Sequence, residues 1–534
     1  MRLSSSFLSF EHQQEMNKTS DKQIALAAAV LAATCTGVYY ALSSMNKTKN
    51  DLIAKVYKDV PSPKGLYYAG HLFSLGELPG HKVTEWQKEL GPIIKLKMGI
   101  QTWFMIADPQ LAHEIFVTRG LTTSDRPYHT YISDFYSYGG KGVVFTKADK
   151  RWKRTRTAAL SVLAPQRVNE FTDVLLYEAD SLVDQLIGRT NSDGQLNPIT
   201  TLQAASLNVI LTTAVGQRVK SADDPLFIEI MAFVNQGMKM GGAEADLSGF
   251  LPILTFIDVL TGKKNMFRKF IDNVRDPLFT RLIKEATEGE QDCLIKSFVA
   301  LQEEYELDHQ DLIVVMSDLI AAGADTISVS LSWMFVILSN FPDVQKKLRA
   351  EVDAFVNAHG RLPTFEERDQ LPYAIAVQKE CMRYRPTTPF GIPHMATEDI
   401  TVRDHFIPKG SVLISNMLGM HMNPDVYPDP ETFNPDRFLA NTRTMSAAAN
   451  GNISQRDHYN FGWGRRICPG IHLAEVEMFH VFARLFAKCV IAPPLGADGK
   501  ERPIDINAAQ NAGIVTLPAP YQVRFIPRTD SPLK

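Results

Sequence analysis

The stretch FGWGRRICPG, residues 461–470, places one cysteine, Cys468, among glycines and arginines. A cysteine acts as a nucleophile or a metal ligand in its thiolate form, which nearby positive charge favours. Two arginines precede Cys468, and the proline and periodic apolar run after it predict the start of a helix, where an anion is stabilised. Gly464 and Gly470 leave room for a flat group to approach the backbone. The pattern indicates an ionised sulfur facing a large planar ligand, but a structural cysteine in a turn explains the cysteine alone equally well.

The composition is that of a large folded protein. The 534 residues are 45 % hydrophobic and 22 % charged, and 56 basic against 59 acidic residues give a net charge of −3. This balance gives no overall case for nucleic-acid binding. The five cysteines are odd in number, widely spaced and without a CxxC pair. A disulfide framework and a four-cysteine zinc site are therefore disfavoured, and a special cysteine has to act alone.

An uncharged stretch near the N-terminus, IALAAAVLAATCTGVYYAL at residues 24–42, is 19 residues long. As a helix it would be about 28 Å long, roughly the thickness of a bilayer core. Five lysines follow it by residue 64, whereas only three basic residues precede it. Because positive charge is retained on the cytosolic side, we predict a single-pass anchor with the bulk of the chain in the cytosol. A cleaved signal peptide is the alternative, but its apolar core is usually shorter and nearer residue 1.

The chain is predicted to have four parts. The sequence VPSPKG at residues 60–65 has two prolines and a glycine, which indicate a stiff, extended segment before the globular body. The parts are a short lumenal segment, a transmembrane anchor, a basic and proline-rich hinge and a large globular domain, at residues 1–23, 24–42, 43–70 and 71–534.

The globular part is predicted to be mainly α with a small β part. Apolar residues recur at helical spacing in three segments, residues 160–186, 202–215 and 267–286. Short β-like runs occur at residues 93–96, 102–106 and 391–395.

Two further apolar segments each allow more than one interpretation. Residues 311–340 are long and apolar enough to suggest a membrane span, but Asp318 and Asp325 interrupt them, so we expect a central helix buried in a soluble domain. Residues 241–260 break the helical pattern with glycines, a proline and an apolar run. They would be either core or a lip that touches a membrane, and the core interpretation is preferred.

The cysteine loop resembles the haem-binding loop of the cytochrome P-450 superfamily, Phe-x-x-Gly-x-Arg-x-Cys-x-Gly. Phe461, Gly464, Arg466, Cys468 and Gly470 fill all five defined positions. The resemblance implies the cytochrome P-450 fold, a triangular helical haem domain with a long central helix, over the catalytic domain. It implies a haem b (iron protoporphyrin IX) whose iron is bound by the Cys468 thiolate. The other four residues would contact the haem, with Arg466 at a propionate.

A second motif is ECMR at residues 380–383, followed by FNPDRF at residues 433–438. A carboxylate and a guanidinium at i and i+3 are by themselves most often an exposed ion pair. By the resemblance, Glu380, Arg383 and Arg437 would instead form a buried structural network that supports the haem loop.

A third motif, AAGADT, lies at residues 321–326, midway along the predicted central helix. The Thr326 hydroxyl can bond the Ala322 carbonyl four residues back, and Gly323 loosens the same turn. The resemblance makes Asp325 and Thr326 an acid–alcohol pair that delivers protons during oxygen activation, with Ala322 beside the haem. A helix that simply tolerates a glycine is the alternative.

A fourth motif, KADKRWKRTR at residues 147–156, has six basic residues in ten. With one aromatic residue it is a poor nucleic-acid site. Trp152 and Arg156 match the family's Trp-x-x-x-Arg helix, which implies a contact with a haem propionate. The remaining basic residues could attract an acidic electron donor or form a solvated helix face. His394 matches a position near the other propionate.

The resemblance implies a haem-dependent monooxygenase that inserts one atom of dioxygen into a lipophilic substrate. Electrons would come from NADPH through a separate NADPH-cytochrome P-450 reductase, with cytochrome b5 as a further possible donor, since no nucleotide or flavin motif is fused to the chain. The anchor implies a single-pass protein of the endoplasmic reticulum membrane, and residues 391–400 look fungal. A haem-thiolate isomerase or dehydratase is one alternative, although such relatives usually lack the acid–threonine pair. A non-enzymatic haem-binding sensor is the other.

The resemblance also implies that four segments line the substrate pocket, at residues 127–138, 316–321, 387–393 and 514–517. They are largely apolar, which predicts a steroid, fatty acid, terpenoid or xenobiotic, and the sequence does not rank these. The residues concerned are Ile320, Ala321, Thr387, Thr388, Ile514 and Val515.

Overall fold

The computed structural model describes residues 57–533, so the predicted anchor at residues 24–42 lies outside the described residues. Within them the chain is mainly helical, as predicted. The α-helices are α1 (Pro79–Leu90), α2 (Pro109–His113), α3 (Gly120–Thr123), α4 (Lys150–Val162), α5 (Pro165–Asn169), α6 (Thr172–Asp193), α7 (Ile199–Val215), α8 (Pro225–Gly241), α9 (Leu247–Phe250), α10 (Thr255–Leu260), α11 (Lys263–Phe270), α12 (Asp276–Glu288), α13 (Leu294–Ala300), α14 (Gln302–Tyr305), α15 (His309–Ser339), α16 (Pro342–His359), α17 (Pro372–Tyr384), α18 (Met417–His421), α19 (Met445–Asn450) and α20 (Ile471–Lys488).

The strands are short and form one four-stranded sheet and three two-stranded sheets within the described part of the chain. They are β1 (Ile93–Met98), β2 (Gln101–Ile106), β3 (His394–Met395), β4 (Ile400–Val402), β5 (His405–Ile407), β6 (Val412–Ser415), β7 (Cys489–Ala492), β8 (Ala509–Ala512), β9 (Val515–Pro518) and β10 (Arg524–Pro527). The larger sheet has the order β1-β2-β6-β3, in which β2 and β6 are parallel and the other neighbours are antiparallel. The β-like runs predicted from the sequence coincide with β1, β2 and β3.

Two compact units are distinguished. One consists of residues 57–59 with Thr401–Phe406, where the rings of Tyr57 and Phe406 stack with centroids 5.6 Å apart. The other contains Val60–Ile400 and residues 407–533, and every candidate site residue belongs to it. Within that second unit, residues 60–65 form neither helix nor strand, and Lys95 N–H donates to the Pro61 carbonyl over 2.8 Å.

Helix α15 forms the middle of the hydrophobic core. Its first half, from Leu312 to Ala324, packs into one cluster with α7, α8 and α12. Its second half, from Ile327 to Leu338, packs into another with α6, α16, α17 and α20. Asp308 and Asp311 close its N-terminal turn as a reciprocal capping box. Among the described helices α15 alone is long and apolar enough to cross a membrane, but 72 % of its most apolar window is buried, so the predicted central helix is confirmed.

The segment predicted as one helix at residues 160–186 is in fact three. Pro165 is the first residue of α5 and lacks an N–H, and Ala164 before it is extended, so α4 ends at Val162 and α6 begins at Thr172. The other two predicted helices correspond to α7 and to α11 with α12.

The core interpretation of residues 241–260 is correct for Phe250 and Leu251 and wrong beyond them. Phe250 and Leu251 are buried, but four large apolar side chains beyond them are 58–81 % exposed. These are Ile253, Phe256, Val259 and Leu260, and we call them the apolar lip.

The C-terminal strand closes the core. β10 pairs antiparallel with β7, and Val523 just before it exchanges backbone hydrogen bonds with Leu196, at 2.9 and 3.0 Å. The Phe525 ring packs edge-on against Phe335 of α15, with centroids 5.1 Å apart. Val523 and Phe525 are both fully buried.

Candidate active site around Cys468

The loop at residues 461–470 is held by its own backbone. Cys468 N–H donates to the Phe461 carbonyl over 2.9 Å, and helix α20 begins three residues after Cys468. Gly464 has a φ of +50°, and a Cβ there would lie 2.4 Å from the Phe116 carbonyl oxygen. A Cβ at Gly470 would meet no atom within 4 Å. Gly464 is therefore required by a close backbone approach, and only Gly470 has the open space that we expected of both glycines.

The Cys468 thiol has less positive charge around it than its sequence suggests. The residue is only partly exposed, and desolvation raises the pKa of the thiol, while the Gly470 N–H and the Arg156 guanidinium act to lower it. The guanidinium groups of the loop's two arginines lie over the Trp152 ring, and Arg156 is the arginine whose charge acts on the thiol. The surroundings alone therefore do not ionise this thiol, but binding of a metal ion would, since a coordinating thiol is deprotonated outright.

Arg466 is buried among backbone carbonyls. Its guanidinium lies 4.1 Å from the centre of the Trp152 ring and donates to the carbonyls of Ser124, Val143 and Thr146, at 2.9, 3.0 and 2.5 Å. The Trp152 Nε1–H donates to the same Val143 carbonyl over 3.0 Å. The Val143 carbonyl, in the loop before α4, therefore links Trp152 of helix α4 to Arg466 of the cysteine loop.

The Arg156 guanidinium, on the next turn of α4, lies 5.7 Å from the centre of the same Trp152 ring and donates to the Ile467 carbonyl beside the cysteine. His394 Nδ1 lies 2.7 Å from the Thr123 carbonyl oxygen. Burial, followed by repulsion from Arg126 and Arg466, holds the pKa of His394 well below its usual range, so its ring is neutral. The structure therefore brings together Trp152, Arg156, Arg466 and His394.

Arg126 belongs to this group and was missed by the sequence analysis. It is 6 % exposed, and it donates to the carbonyls of Val144, Ile392 and Pro393, at 2.9, 2.9 and 2.7 Å. Its sequence context, an arginine before a proline in a loop, matches no motif. Its only signal was its position just before the segment that the resemblance assigned to the pocket.

Together Arg126, Arg156, Arg466, Trp152 and His394 form what we call the cationic cluster. Among the described residues, no carboxylate makes an ion pair with its three arginines. Burial, together with mutual repulsion, lowers the pKa of Arg126 to about 9 and that of Arg466 to about 8. The charge of Asp125 acts against this lowering of both pKa values, but within the described structure Asp125 makes no ion pair with either arginine. Buried cations without a paired counterion are costly, so the cluster fits an anionic group carrying more than one carboxylate.

The turn of α15 that contains Asp325 and Thr326 remains helical. The Thr326 hydroxyl donates to the Ala322 carbonyl over 2.7 Å, as predicted. Desolvation raises the pKa of Asp325, and a hydrogen bond with the Gln203 side chain lowers it. A Cβ at Gly323 would lie 3.1 Å from Ile210 Cβ, so this glycine lets α7 approach α15 closely. Within residues 57–533, no hydrogen bond or ion pair joins this turn to the Cys468 loop.

Two of the predicted pocket segments meet beyond this turn. Ser330, one turn after Thr326, lies 2.6 Å from the Thr387 hydroxyl, and Thr516 N–H donates to the Thr387 carbonyl over 2.9 Å. Thr388 donates to the sulfur of Met417 over 3.8 Å. Of the remaining predicted residues, Ala321 and Ile514 are partly exposed, whereas Ile320 and Val515 are buried against neighbouring apolar side chains.

Glu380, Arg383 and Arg437 form one buried network. Arg383 donates to both oxygens of Glu380 at 2.7 Å, and Arg437 Nε lies 3.2 Å from the same carboxylate. Neither Glu380 nor Arg383 is exposed to solvent. Arg383 also donates to the carbonyls of His421 and Pro430, so the network ties α17 to the segment that precedes the cysteine loop.

Comparison with known proteins gives consistent matches. A family model described as Cytochrome P450 matches residues 60–525. Cytochrome P450 monooxygenase 58 of Postia placenta is 29 % identical over 485 residues, covering 88 % of this chain and 89 % of that protein. Cytochrome P450 monooxygenase anuE of Penicillium roqueforti is 28 % identical, covering 84 % and 92 %. A zebra fish cytochrome P450 structure with progesterone matches with a TM-score of 0.70 at 25 % identity, covering 84 % of this chain and 99 % of that one.

Proposed function

Because the chain belongs to the cytochrome P450 family, we propose that it uses haem to insert one atom of dioxygen into a lipophilic organic molecule. Its named relatives are cytochrome P450 monooxygenases, so the chain is an oxidoreductase of the monooxygenase type. The observation that carries the finer proposal is the cationic cluster beside the Cys468 loop. Three buried guanidinium groups without a carboxylate partner match the two propionates of a haem.

The residues present fit haem b as the bound group. Cys468 would supply the thiolate ligand, Gly470 the open space beside the backbone, and Arg126, Arg156 and Arg466 the contacts to propionate. Trp152 and His394, whose N–H groups face the Val143 and Thr123 carbonyls, would border this contact. When bound, the haem supplies the activation of dioxygen, which no side chain can perform.

We propose that Asp325 and Thr326 handle the protons of the reaction. A partly desolvated carboxyl with a raised pKa exchanges protons more readily near neutral pH than an exposed aspartate does. The Thr326 hydroxyl is already oriented by its bond to the Ala322 carbonyl. Asp325 would hold a proton at its carboxyl and Thr326 would pass it on through its hydroxyl.

The substrate is proposed to be lipophilic and to contact Ile320, Ala321, Thr387, Thr388, Ile514 and Val515. The hydrogen bonds that join the Thr387 and Thr516 segments to each other and to Ser330 of α15 support this, since two of the predicted pocket segments then meet beside the central helix. The zebra fish relatives were solved with progesterone and abiraterone, which supports a flat polycyclic molecule as the first class to test.

The protein is further proposed to act at the endoplasmic reticulum membrane. The apolar lip supports membrane contact, because exposed apolar patches mark interaction surfaces. NADPH-cytochrome P-450 reductase, with cytochrome b5, would supply electrons. Arg151 and Arg154 pair with acidic residues of this chain, so Lys147, Lys150 and Lys153 are the exposed charges that remain for such a partner.

The proposed function is tested by comparing the wild type with Cys468→Ala and Cys293→Ala. The wild type should bind haem and give the thiolate type of reduced carbon-monoxide spectrum, and steroids should shift its Soret band. Cys468→Ala should lose the thiolate spectrum, whereas Cys293→Ala, which changes a buried free cysteine in another cluster, should keep it. A wild type without the thiolate spectrum, or a Cys468→Ala variant that retains it, would overturn the proposal.

A further inference from the structure

Asp318 is a nearly buried carboxylate on α15, about two helical turns before Asp325. Its Oδ2 accepts the backbone N–H groups of Val143 and Val144, at 2.8 and 3.2 Å. Its Oδ1 accepts the Tyr136 hydroxyl at 2.9 Å. Among residues 57–533 no lysine or arginine makes an ion pair with Asp318, so two peptide N–H groups and a phenol satisfy this carboxylate.

The same two peptide units also face the cationic cluster. The Val143 carbonyl accepts the Trp152 Nε1–H and an Arg466 N–H, both at 3.0 Å. The Val144 carbonyl accepts the Arg126 Nε–H at 2.9 Å. Residues 143 and 144 are therefore held by Asp318 through their N–H groups and hold the cluster through their carbonyls.

The loop that contains these peptides depends on such an anchor. It has glycines at positions 139, 140 and 142, which leave its backbone free to adopt many conformations. Gly142 has a φ of +92°, and a Cβ there would lie 2.5 Å from Val314 Cγ1 and 2.9 Å from Asp318 Oδ2. The glycine thus permits the close approach to α15 that brings the Val143 N–H within reach of Asp318.

We propose that Asp318 is a positioning residue for the haem site: its carboxylate fixes the Val143–Val144 backbone, whose carbonyls orient Arg126, Arg466 and Trp152 toward the bound haem. The inference deepens the proposed function and rests on it for the identity of the bound group. Desolvation raises the pKa of Asp318 to about 6, against the hydrogen bonds from Val143, Tyr136 and Val144 and the charge of Arg275, so the ionised acceptor dominates above neutral pH.

The test uses full-length haem-loaded protein and three variants, Asp318→Ala, Asp318→Asn and Tyr136→Phe. Two quantities are measured, the hydrogen exchange of the Val143 and Val144 amides and the rate at which haem transfers to apomyoglobin. Asp318→Ala should speed both by about tenfold or more, because hydrogen bonds to a charged group are lost. Asp318→Asn retains an acceptor oxygen, and Tyr136→Phe removes only the Oδ1 contact, so both should stay within about threefold of the wild type.

Several results would overturn the inference. In the wild type, the Val143 and Val144 amides must exchange far more slowly than solvent-exposed amides. This requirement tests the anchor even if Asp318→Ala does not fold. Unchanged amide exchange in Asp318→Ala contradicts the anchor, and faster exchange with unchanged haem transfer contradicts its positioning role. Equal effects of Asp318→Ala and Asp318→Asn contradict the hydrogen-bond explanation. The reduced carbon-monoxide spectrum of the wild type, measured on the same samples, tests the proposed haem site independently of Asp318.

Discussion

At the scale of single residues, the site is built from charges that backbone carbonyls orient rather than from opposite charges in pairs. Arg126 and Arg466 each donate to three carbonyls. Opposite charges pair instead in the separate structural network, where two arginines donate to Glu380. The motif residues were found in the sequence because their spacing is fixed. Arg126 could not be found in this way, because carbonyls from distant segments surround it and carbonyls carry no sequence signature.

Replacement of Arg126 should weaken haem retention. We expect Arg126→Gln to release haem about tenfold faster or more, since a charge-assisted contact is lost. Haem transfer to apomyoglobin measures this. Arg119→Gln, which changes an exposed arginine seven residues earlier, should leave the rate unchanged, and equal effects of the two variants would contradict the assignment of Arg126.

Replacement of Glu380 should severely destabilise the fold. Glu380→Ala leaves Arg383 buried and uncompensated, which costs about 3–5 kcal/mol of unfolding free energy. Thermal or denaturant unfolding measures the loss. Glu431→Gln breaks only the exposed pair with Lys88 and should cost less than about 1 kcal/mol. A Glu380→Ala variant as stable as the wild type would show that the network does not support the fold.

At the scale of elements, the ends of α15 were predicted to within two residues. Its length and the aspartates that interrupt its apolar residues favour a buried central helix over a membrane span. Helices α4 to α6 were not separated, since helical spacing continues through Pro165 while the backbone turns. The apolar lip was misassigned, because hydrophobicity alone cannot distinguish a buried apolar face from an exposed one. Close contacts such as the one between α7 and α15 depend on both helices and do not follow from either alone.

The contact of α7 with α15 predicts the effect of a larger residue at position 323. Gly323→Val should destabilise the protein by about 1–3 kcal/mol, because its side chain would overlap Ile210. Gly188→Ala in α6, where a Cβ meets nothing within 4 Å, should stabilise it by about 0.5–1 kcal/mol through helix propensity. Unfolding curves of both variants test this, and a stabilising Gly323→Val would contradict the described packing.

A buried carboxyl on α20 predicts how stability changes with pH. Desolvation and repulsion from Glu178 raise the pKa of Glu477 to about 8. The folded state then keeps a proton that the unfolded chain loses above about pH 4.3, so its stabilising contribution is complete below that pH and is lost as pH rises toward 8. The unfolding free energy should fall by about 1.4 kcal/mol per pH unit across this interval.

Glu477→Gln removes this titration. The variant should match the wild type near pH 4 and become increasingly more stable than it up to about pH 8, as melting temperatures across this range would show. Glu85→Gln, at an exposed helix position, should give a constant difference. A Glu477→Gln variant whose stability runs parallel to that of the wild type would contradict the raised pKa.

At the scale of the whole molecule, the described unit that holds the site combines a buried helical core with an apolar lip on its surface. The composition predicted a large core, and the cysteine motif predicted the fold. Neither indicates which surface is apolar, because exposure depends on how distant segments pack. Membrane contact is therefore a prediction for the assembled protein rather than for one segment.

The apolar lip predicts where the protein contacts a bilayer. In full-length protein reconstituted with brominated lipid, tryptophan introduced as Phe256→Trp should be quenched. Tyr177→Trp, at a similarly exposed position on α6, should not be quenched. The fluorescence difference from wild type isolates each introduced tryptophan, and equal quenching at both positions would remove the lip as the contact.

The position of the C-terminal strand has a consequence for synthesis. The ribosome makes Cys468, the cationic cluster and all of α15 before it makes Phe525, which packs against Phe335, and Val523, which pairs with Leu196. The core around α15 therefore cannot close while the chain is still being translated through this strand. A stop codon near residue 520 would leave every site residue in place along the chain and still deprive the nascent protein of a finished core, so haem capture should wait until translation has passed the last strand.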